Sequence, residues 1–165
     1  MRLLLIADTH LPRRARDLPP DVWREVDRAD VVVHAGDWVE IDLLDALEAR
    51  AARVLGCWGN NDGPELRARL PEVARAELDG VRLAVTHETG DRAGRERRML
   101  AAHADTDVLV FGHSHIPWDT QMGGLRLLNP GSPTDRRHQP ACTYLTARTD
   151  DGALHDVVLH ETSRA

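Results

Sequence analysis

Two histidines that directly follow a short apolar run carry the first chemistry visible in the sequence. The run 108–111 is typical of a buried strand, and Gly112 would let the backbone turn tightly where that strand ends. In an extended segment, His113 and His115 would project to the same side, because side chains alternate along a strand. Two imidazoles on one side of a strand end suit a metal ion. Taken alone, the segment is equally consistent with a surface loop that contains His-Ser-His.

Further polar residues follow other apolar runs, and they favour the metal site. These residues are Asp8, His10, Asp37, Asn60 and His87. Ligands of parallel α/β sheets bind beyond the carboxyl ends of the strands, so we expect these side chains to lie together with His113 and His115. Such a set is too large for one metal ion and sufficient for two. Mixed carboxylate, imidazole and amide donors suit Mn, Fe, Co, Ni or Zn.

Two ions that share one carboxylate would lie roughly 3.5–4 Å apart. Such a pair lowers the pKa of a bound water and clamps a phosphoryl group for in-line attack. The donor types therefore indicate phosphoryl chemistry.

The elements that must position these donors alternate in the first half of the chain. Strands are predicted at 3–7, 30–34 and 53–58, and helices at 21–27, 42–50 and 64–70. The second half is rich in hairpins, which the turns Asp79-Gly80, Gly123-Gly124 and Asp150-Asp151-Gly152 indicate, with one helix over 91–104. Two packed sheets with helices outside, in one domain spanning residues 1–165, is the economical architecture.

Composition narrows the class of protein. The chain of 165 residues is 42% apolar and 29% charged, as is ordinary for a soluble globular domain, and its net charge of −6 does not suggest a general nucleic-acid binder. Cys57 and Cys142 are too few for a disulfide framework or a Cys-rich zinc site. The N-terminal apolar run is too short for a signal peptide, and no run approaches the about 18 residues of a membrane span. We expect a cytoplasmic protein without membrane partners.

Taken together, the motifs resemble those of the calcineurin-like metallophosphoesterases. They occur in the family's order and span most of the chain, and as a set they are highly specific. The segment Asn129-Pro130-Gly131-Ser132 and the short length look like the small single-domain phosphodiesterase branch. The motifs are Asp8-Thr9-His10, Gly36-Asp37, Gly59-Asn60-Asn61-Asp62, His87 and Gly112-His113-Ser114-His115.

The resemblance implies an α/β fold, a four-layer α/β/β/α sandwich of two mixed β-sheets flanked by helices. It also implies two divalent ions, with manganese as the first choice and Ni, Fe, Co or Zn as alternatives. A bridging hydroxide would be the nucleophile, acting beside Asp37, Asn60 and His87. One ion would be held by Asp8, His10, Asp37 and His115, and the other by Asp37, Asn60, His87 and His113.

Two positions depart from the family pattern. Many members have histidine after the asparagine, where it contacts the phosphate or assists the leaving group, whereas this chain has Asn61, which cannot donate a proton by titrating. Hydrolysis of monoesters with poor leaving groups is therefore in doubt. Many members also have glycine after the histidine that aligns with His87, where this chain has Glu88. Its carboxylate could bind a neighbouring group or repel an anionic substrate.

Other residues have both a structural and a functional interpretation. Arg136 and Arg137 suit bidentate phosphate binding and are equally a solvated charge pair, as are Arg13 and Arg14. Trp38, Trp58 and Trp118 lie near the motifs; burial is the usual role of Trp, and stacking on an aromatic ester is the alternative. His34 is expected to be a buried, hydrogen-bonded residue, and Asp62 to orient its neighbours. The remaining histidines, which we expect on the surface, are His103, His138, His155 and His160.

These observations favour a metal-dependent phosphodiesterase that acts on a phosphodiester or another small phosphate ester. Two alternatives remain open. One is a non-catalytic protein-interaction scaffold on the same fold, as in the retromer scaffold subunit, and the other is a nucleotide-binding module without turnover. Exposed hairpin edges could also pair across a homodimer.

Overall fold

Short apolar strands and amphipathic helices alternate along the chain as the hydrophobic pattern predicts. The computed structural model describes residues 1–163. The elements, in chain order, are β1 (Arg2–Ile6), α1 (Pro20–Val26), β2 (Val31–Ala35), α2 (Ile41–Arg50), β3 (Val54–Cys57), α3 (Pro64–Arg69), β4 (Val73–Leu78), β5 (Val81–Thr86), α4 (Arg95–Ala102), β6 (Val108–Val110), β7 (Trp118–Met122), β8 (Leu125–Asn129), β9 (Thr143–Asp150) and β10 (Ala153–Glu161).

The strands form two mixed sheets. The first sheet has the order β10-β9-β1-β2-β3, and the second has the order β4-β5-β6-β8-β7. In the first sheet, β1, β2 and β3 are parallel, while β9 and β10 are added as an antiparallel hairpin. In the second sheet, β5, β6 and β8 are parallel, with antiparallel strands at both edges.

Side-chain alternation builds the layers. Leu3 and Leu5 of β1 are buried between the sheets in a cluster that also holds Leu83 and Val110. On the other face of β1, Leu4 packs in a cluster with the apolar sides of α1, α2 and α3, and in the second sheet Leu109 and Phe111 pack with Met99 of α4. The order of layers is therefore α/β/β/α, and the predicted fold class is confirmed.

The parallel strands set the location of the site. Because β1, β2 and β3 run in one direction, their carboxyl ends meet at one rim of the first sheet, and the carboxyl ends of β5 and β6 likewise meet at one rim of the second. The predicted donors follow these ends. No helix within residues 1–163 is long and apolar enough to cross a membrane.

The helix predicted over 91–104 is shorter than expected. It begins at Arg95, after Gly94 with φ +70°, and ends at Ala102. The guanidinium of Arg98 donates hydrogen bonds to the carbonyls of Thr89, Asp91 and Ala93, and these side-chain contacts hold the preceding loop outside the helix.

The segment that carries His113 and His115 is also different from the prediction. It is not extended, because His113 has φ +69° and His115 has φ +58°. The two imidazoles consequently face different donors instead of sharing one side. The role of Gly112 differs as well: a Cβ there would lie 2.7 Å from the Ala35 carbonyl, so glycine is required for close approach of the two chains.

Candidate metal centre

A left-handed backbone conformation turns the donors inward at the ends of the strands. A positive φ is uncommon in residues other than glycine, and its concentration here marks a functional site. Five of the seven donors have this conformation, namely Asp8 (φ 53°), His10 (46°), Asp37 (60°), His113 (69°) and His115 (58°).

Asp37 lies at the centre of the donor set. Its Oδ2 is 3.5 Å from His10 Nε2, and its Oδ1 is 3.4 Å from His87 Nε2. The carboxylate is buried, and its two oxygens face two separate groups of donors. This is the arrangement that a carboxylate shared between two cations requires.

On one side of Asp37, two imidazoles and a carboxylate converge. His10 Nε2 is 3.2 Å from His115 Nε2, and His115 Nε2 is 3.5 Å from Asp8 Oδ1. Two imidazole nitrogens at this distance need a proton or a cation between them. Asp8, His10 and His115 are all buried and place their ligand atoms within 4.8 Å of one another.

On the other side, an amide oxygen lies between two further imidazoles. Asn60 Oδ1 is 3.0 Å from His87 Nε2 and 3.0 Å from His113 Nδ1. This group is more open to solvent, because the His113 side chain is 52% exposed. A ligand from solvent would therefore approach from this side.

Backbone carbonyls fix the orientation of two imidazoles. His87 Nδ1 donates to the Ala35 carbonyl at 2.8 Å, and His115 Nδ1 donates to the Asp135 carbonyl at 2.6 Å. In the neutral imidazole, each contact fixes the proton on Nδ1, so that Nε2 faces the site and can bind a metal ion, as in metal-binding histidines. Sequence reasoning missed Ala35 and Asp135, and no signal could have found them, because main-chain atoms make the contacts.

Asp62 and the segment 129–134 support the donors from behind. Asp62 accepts hydrogen bonds from the backbone N–H groups of Asp37, Val39 and Gly59, at 3.1, 2.8 and 2.7 Å, which confirms its predicted orienting role. Ser132 Oγ donates to the Asp8 carbonyl at 2.7 Å. The segment resembling the small phosphodiesterase branch therefore holds the chain that carries Asp8.

The electrostatics of the site fit a divalent cation. Asp8 Oδ2 is buried and, among the described residues, has no hydrogen-bond partner. Burial raises the pKa of Asp8 to about 8 and lowers the pKa of His115 to about 4. Burial would also raise the pKa of Asp37, but His87 and the hydrogen bonds from Asn61 hold it well below its usual range. A cation would offset the buried carboxylate charge, and the unpaired Asp8 oxygen would coordinate it.

Asn61 contacts a donor of the set. Its backbone N–H donates to Asp37 Oδ1 at 2.9 Å, and its side-chain Nδ2 donates to Asp37 Oδ2 at 2.7 Å. The side chain therefore orients the central carboxylate. Its expected contact with a phosphate stays a prediction.

Arg136 and Arg137, two candidates for substrate binding, line a cavity of about 730 Å³ together with Arg14, a third candidate, and none of the seven predicted donors lines it. Arg137 Nη1 donates to the His113 carbonyl at 3.3 Å, so it reaches the edge of the site. Arg136 instead donates to the Gln139 carbonyl of its own loop.

The tryptophans take different roles. Trp38 is fully buried and stacks on His34 with ring centroids 3.5 Å apart, so it cannot contact a substrate. His34 is itself fully buried and bonded to Thr9 Oγ1, as predicted. Trp58 instead lines a cleft with Asn60 and His87.

Among the histidines without a motif, the expectation for His103 is wrong. His103 is buried, because it lies at the end of α4 beside Arg75, whose Nη2 is 3.3 Å from His103 Nδ1. His138 and His155 are exposed, as expected, and His160 is half-buried and stacks on Tyr144.

Comparison with known proteins identifies the family. Residues 1–152 match the family described as the calcineurin-like phosphoesterase superfamily domain. The chain belongs to this superfamily. A probable metallophosphoesterase of Methanocaldococcus jannaschii is 35% identical over 139 residues, which cover 81% of this chain and 69% of the relative. A phosphodiesterase of the same organism is 24% identical, covering 93% and 92% of the two chains.

Solved structures share the fold of this chain. The solution structure of a Thermotoga maritima protein has a TM-score of 0.77 and 31% identity, and covers 97% of this chain and 98% of that one. Vps29 of Entamoeba histolytica, solved with zinc, has a TM-score of 0.77 over 98% of both chains. Its 22% identity shows a shared fold alone.

Proposed function

We propose that this superfamily member is a metal-dependent phosphodiesterase with a dinuclear metal centre. The observation that carries the proposal is the position of Asp37, whose two oxygens lie 3.5 and 3.4 Å from the nitrogen donors His10 and His87. A single buried carboxylate placed between two donor groups suits two cations. In a site for one cation, one of the two donor groups would have no ion to bind. The phosphodiesterase names of relatives support the same reaction class.

Each cation would have four protein ligands. Asp8, His10, Asp37 and His115 would hold one, and Asp37, Asn60, His87 and His113 the other. When bound, the two ions supply an activated water, the bridging hydroxide expected from the resemblance, and offset the charge on the phosphoryl oxygens. We expect manganese to serve best, because the carboxylate and amide oxygens suit a hard ion.

The residues around the donors favour diesters over monoesters. Asn61 cannot protonate a poor leaving group, which limits the site to esters whose leaving groups depart without that help. Arg137 reaches the edge of the donor set at the His113 carbonyl, and a second ester arm could contact its guanidinium there. Guanidinium groups suit anionic or phosphate-bearing arms.

Hydrolysis of bis-p-nitrophenyl phosphate by chelator-stripped protein tests the proposal. We expect turnover only after Mn²⁺ is restored. Mutation of a residue that only contacts a metal ligand typically reduces activity about 10- to 100-fold, and we expect Asp37→Asn to reduce turnover by more than that. Asp151→Asn is the matched control, because Asp151 is an exposed aspartate with φ +47° and asparagine tolerates that conformation.

Two results would contradict the proposal. Equal turnover in Asp37→Asn and Asp151→Asn would place the reaction elsewhere. Metal binding without turnover by Mn, Ni, Co, Fe or Zn would favour the scaffold or the nucleotide-binding module.

A further inference from the structure

Glu88 is an acidic residue at the open side of the metal centre for which the proposed ligand sets have no role. It follows His87 directly at the end of β5, and its side chain is 55% exposed. Its Oε1 lies 3.8 Å from His113 Nδ1. In the part of the chain that the structure describes, no arginine forms a salt bridge with it. His113, itself a proposed metal ligand, is therefore the residue that the Glu88 carboxylate faces.

The donor atoms around Glu88 converge on one point. The ligand atoms of His87, Glu88 and His113 all lie within 4.8 Å of one another. Asn60 Oδ1 is 3.0 Å from each of the two imidazoles, and Asp37 Oδ1 is 3.4 Å from His87 Nε2. These separations are those of atoms that share one cation, since ligands at 2.0–2.2 Å from a metal ion lie about 3–4 Å apart.

We infer that Glu88 is a fifth protein ligand of the metal ion held by Asp37, Asn60, His87 and His113. The inference rests on the proposed metal centre and adds a residue to it. A fifth ligand with a hard oxygen favours an ion that accepts five or six ligands, such as Mn²⁺, over Zn²⁺, which prefers four.

The additional carboxylate also narrows the substrate class. Asp8, Asp37 and the bridging hydroxide would cancel three of the four positive charges of a pair of divalent ions, and Glu88 would cancel the fourth. Glu88 therefore weakens the electrostatic attraction of the site for a phosphomonoester dianion. It weakens the attraction for a diester less, because a diester carries only one negative charge. Glu88 thus selects for diesters and against monoesters and inorganic phosphate.

Calorimetric titration of chelator-stripped protein with Mn²⁺ tests the ligand role. We expect two sites in the wild type, and in Glu88→Gln and Glu88→Ala a loss of at least about tenfold in the affinity of one site, with the other unchanged. Glu72→Gln is the matched control, because Glu72 borders the same cleft without belonging to the ligand cluster, and its isotherm should equal that of the wild type.

Two further readouts test Glu88: inhibition by phosphate measures its charge, and metal preference separates a ligand from a merely nearby charge. With Mn²⁺ saturating, inorganic phosphate should inhibit Glu88→Gln more strongly than the wild type, because a positive charge is restored at the site. Preference for Mn²⁺ over Zn²⁺ in competition titrations should also decrease in Glu88→Gln.

The outcomes distinguish this inference from the proposed function. Wild-type isotherms in both Glu88 variants, with binding lost in Asp37→Asn, would overturn the role of Glu88 and leave the metal centre standing. Absence of Mn²⁺ binding by the wild type would overturn both. An equal loss in Glu72→Gln would show a general effect of surface charge and overturn the ligand assignment.

Discussion

Asn61 is the residue at which this site differs most in chemistry from the family pattern. Its amide donates to Asp37 Oδ2 at 2.7 Å, so the side chain orients the central carboxylate. An amide cannot transfer a proton to a leaving alkoxide. At the scale of the single residue, Asn61 therefore limits which esters can be cleaved.

Replacing Asn61 with histidine should extend the activity to monoesters with poor leaving groups. A well-placed general acid contributes about 10²- to 10⁴-fold, so we expect at least about a tenfold rise in kcat/KM for phenyl phosphate from an unoptimised imidazole. The increase should be smaller for p-nitrophenyl phosphate, whose leaving group needs no proton. Asn61→Gln is the control, and an equal effect on both esters would contradict the explanation.

Trp58 lines the cleft of the metal centre, whereas Trp118 packs against Arg92 and Arg95. Trp58 is half-buried and packs under the guanidinium of Arg67 at 4.3 Å. We expect Trp58→Leu to raise KM about two- to tenfold for bis-p-nitrophenyl phosphate, as loss of one aromatic contact predicts. KM for an aliphatic diester should change less. Trp118→Leu serves as the comparison, and equal changes for both diesters would exclude stacking.

The loops after β2 and β3 act as one element through Asp62. Its carboxylate accepts three backbone N–H groups, from Asp37 and Val39 in one loop and from Gly59 in the other. Close approach is part of the same arrangement, because a Cβ at Gly59 would lie 2.3 Å from Asp37 Oδ1. The position of the central carboxylate therefore depends on two loops.

Asp62→Asn should weaken metal binding while the fold persists. The amide nitrogen would face backbone N–H donors, so the loops would separate, and we expect the Mn²⁺ affinity to decrease about 10- to 100-fold. Asp30→Asn is the control, since Asp30 also accepts a backbone N–H, from Arg2, on the exposed surface. Unchanged affinity in Asp62→Asn would show that Gly59 and the strands position Asp37 without it.

At the element scale, prediction from sequence succeeds where local signals are strong. Strands β4 and β5 flank the predicted turn Asp79-Gly80 directly, because that dipeptide fixes the hairpin between them. The helix over 91–104 is overpredicted, since the hydrophobic pattern carries no signal for the contacts of the Arg98 side chain with the carbonyls of the preceding loop. The donors are recognisable as polar residues after apolar runs. The carbonyl contacts of His87 and His115 are not, because any residue can provide a carbonyl.

At the scale of the whole molecule, the metal centre joins the two sheets. Asp8, His10, Asp37 and Asn60 follow strands of the first sheet, whereas His87, His113 and His115 follow strands of the second. A cation bound by both sets would be lost when the sheets separate. Metal binding should therefore stabilise the fold as well as the site.

Thermal unfolding with and without Mn²⁺ measures this coupling. At a free metal concentration of 100 times Kd, each site should add about 2.7 kcal/mol to the free energy of unfolding. For a domain of this size, 1 kcal/mol raises Tm by about 2–4 °C. Asp37→Asn should show little of this rise, and a wild-type Tm that is unaffected by Mn²⁺ would mean that the donors do not bind the ion across the sheets.

The left-handed conformation of the donors affects which residues evolution retains at these positions. For a residue other than glycine, that conformation is unfavourable by about 1–2 kcal/mol. Replacement by glycine would remove this strain, but the greater freedom of glycine in the unfolded chain would cost about 0.5–1 kcal/mol. A donor such as His113, with φ +69°, could therefore be replaced by glycine with little loss or a gain in stability. Selection for folding alone would discard these residues. Selection for metal chemistry would retain them.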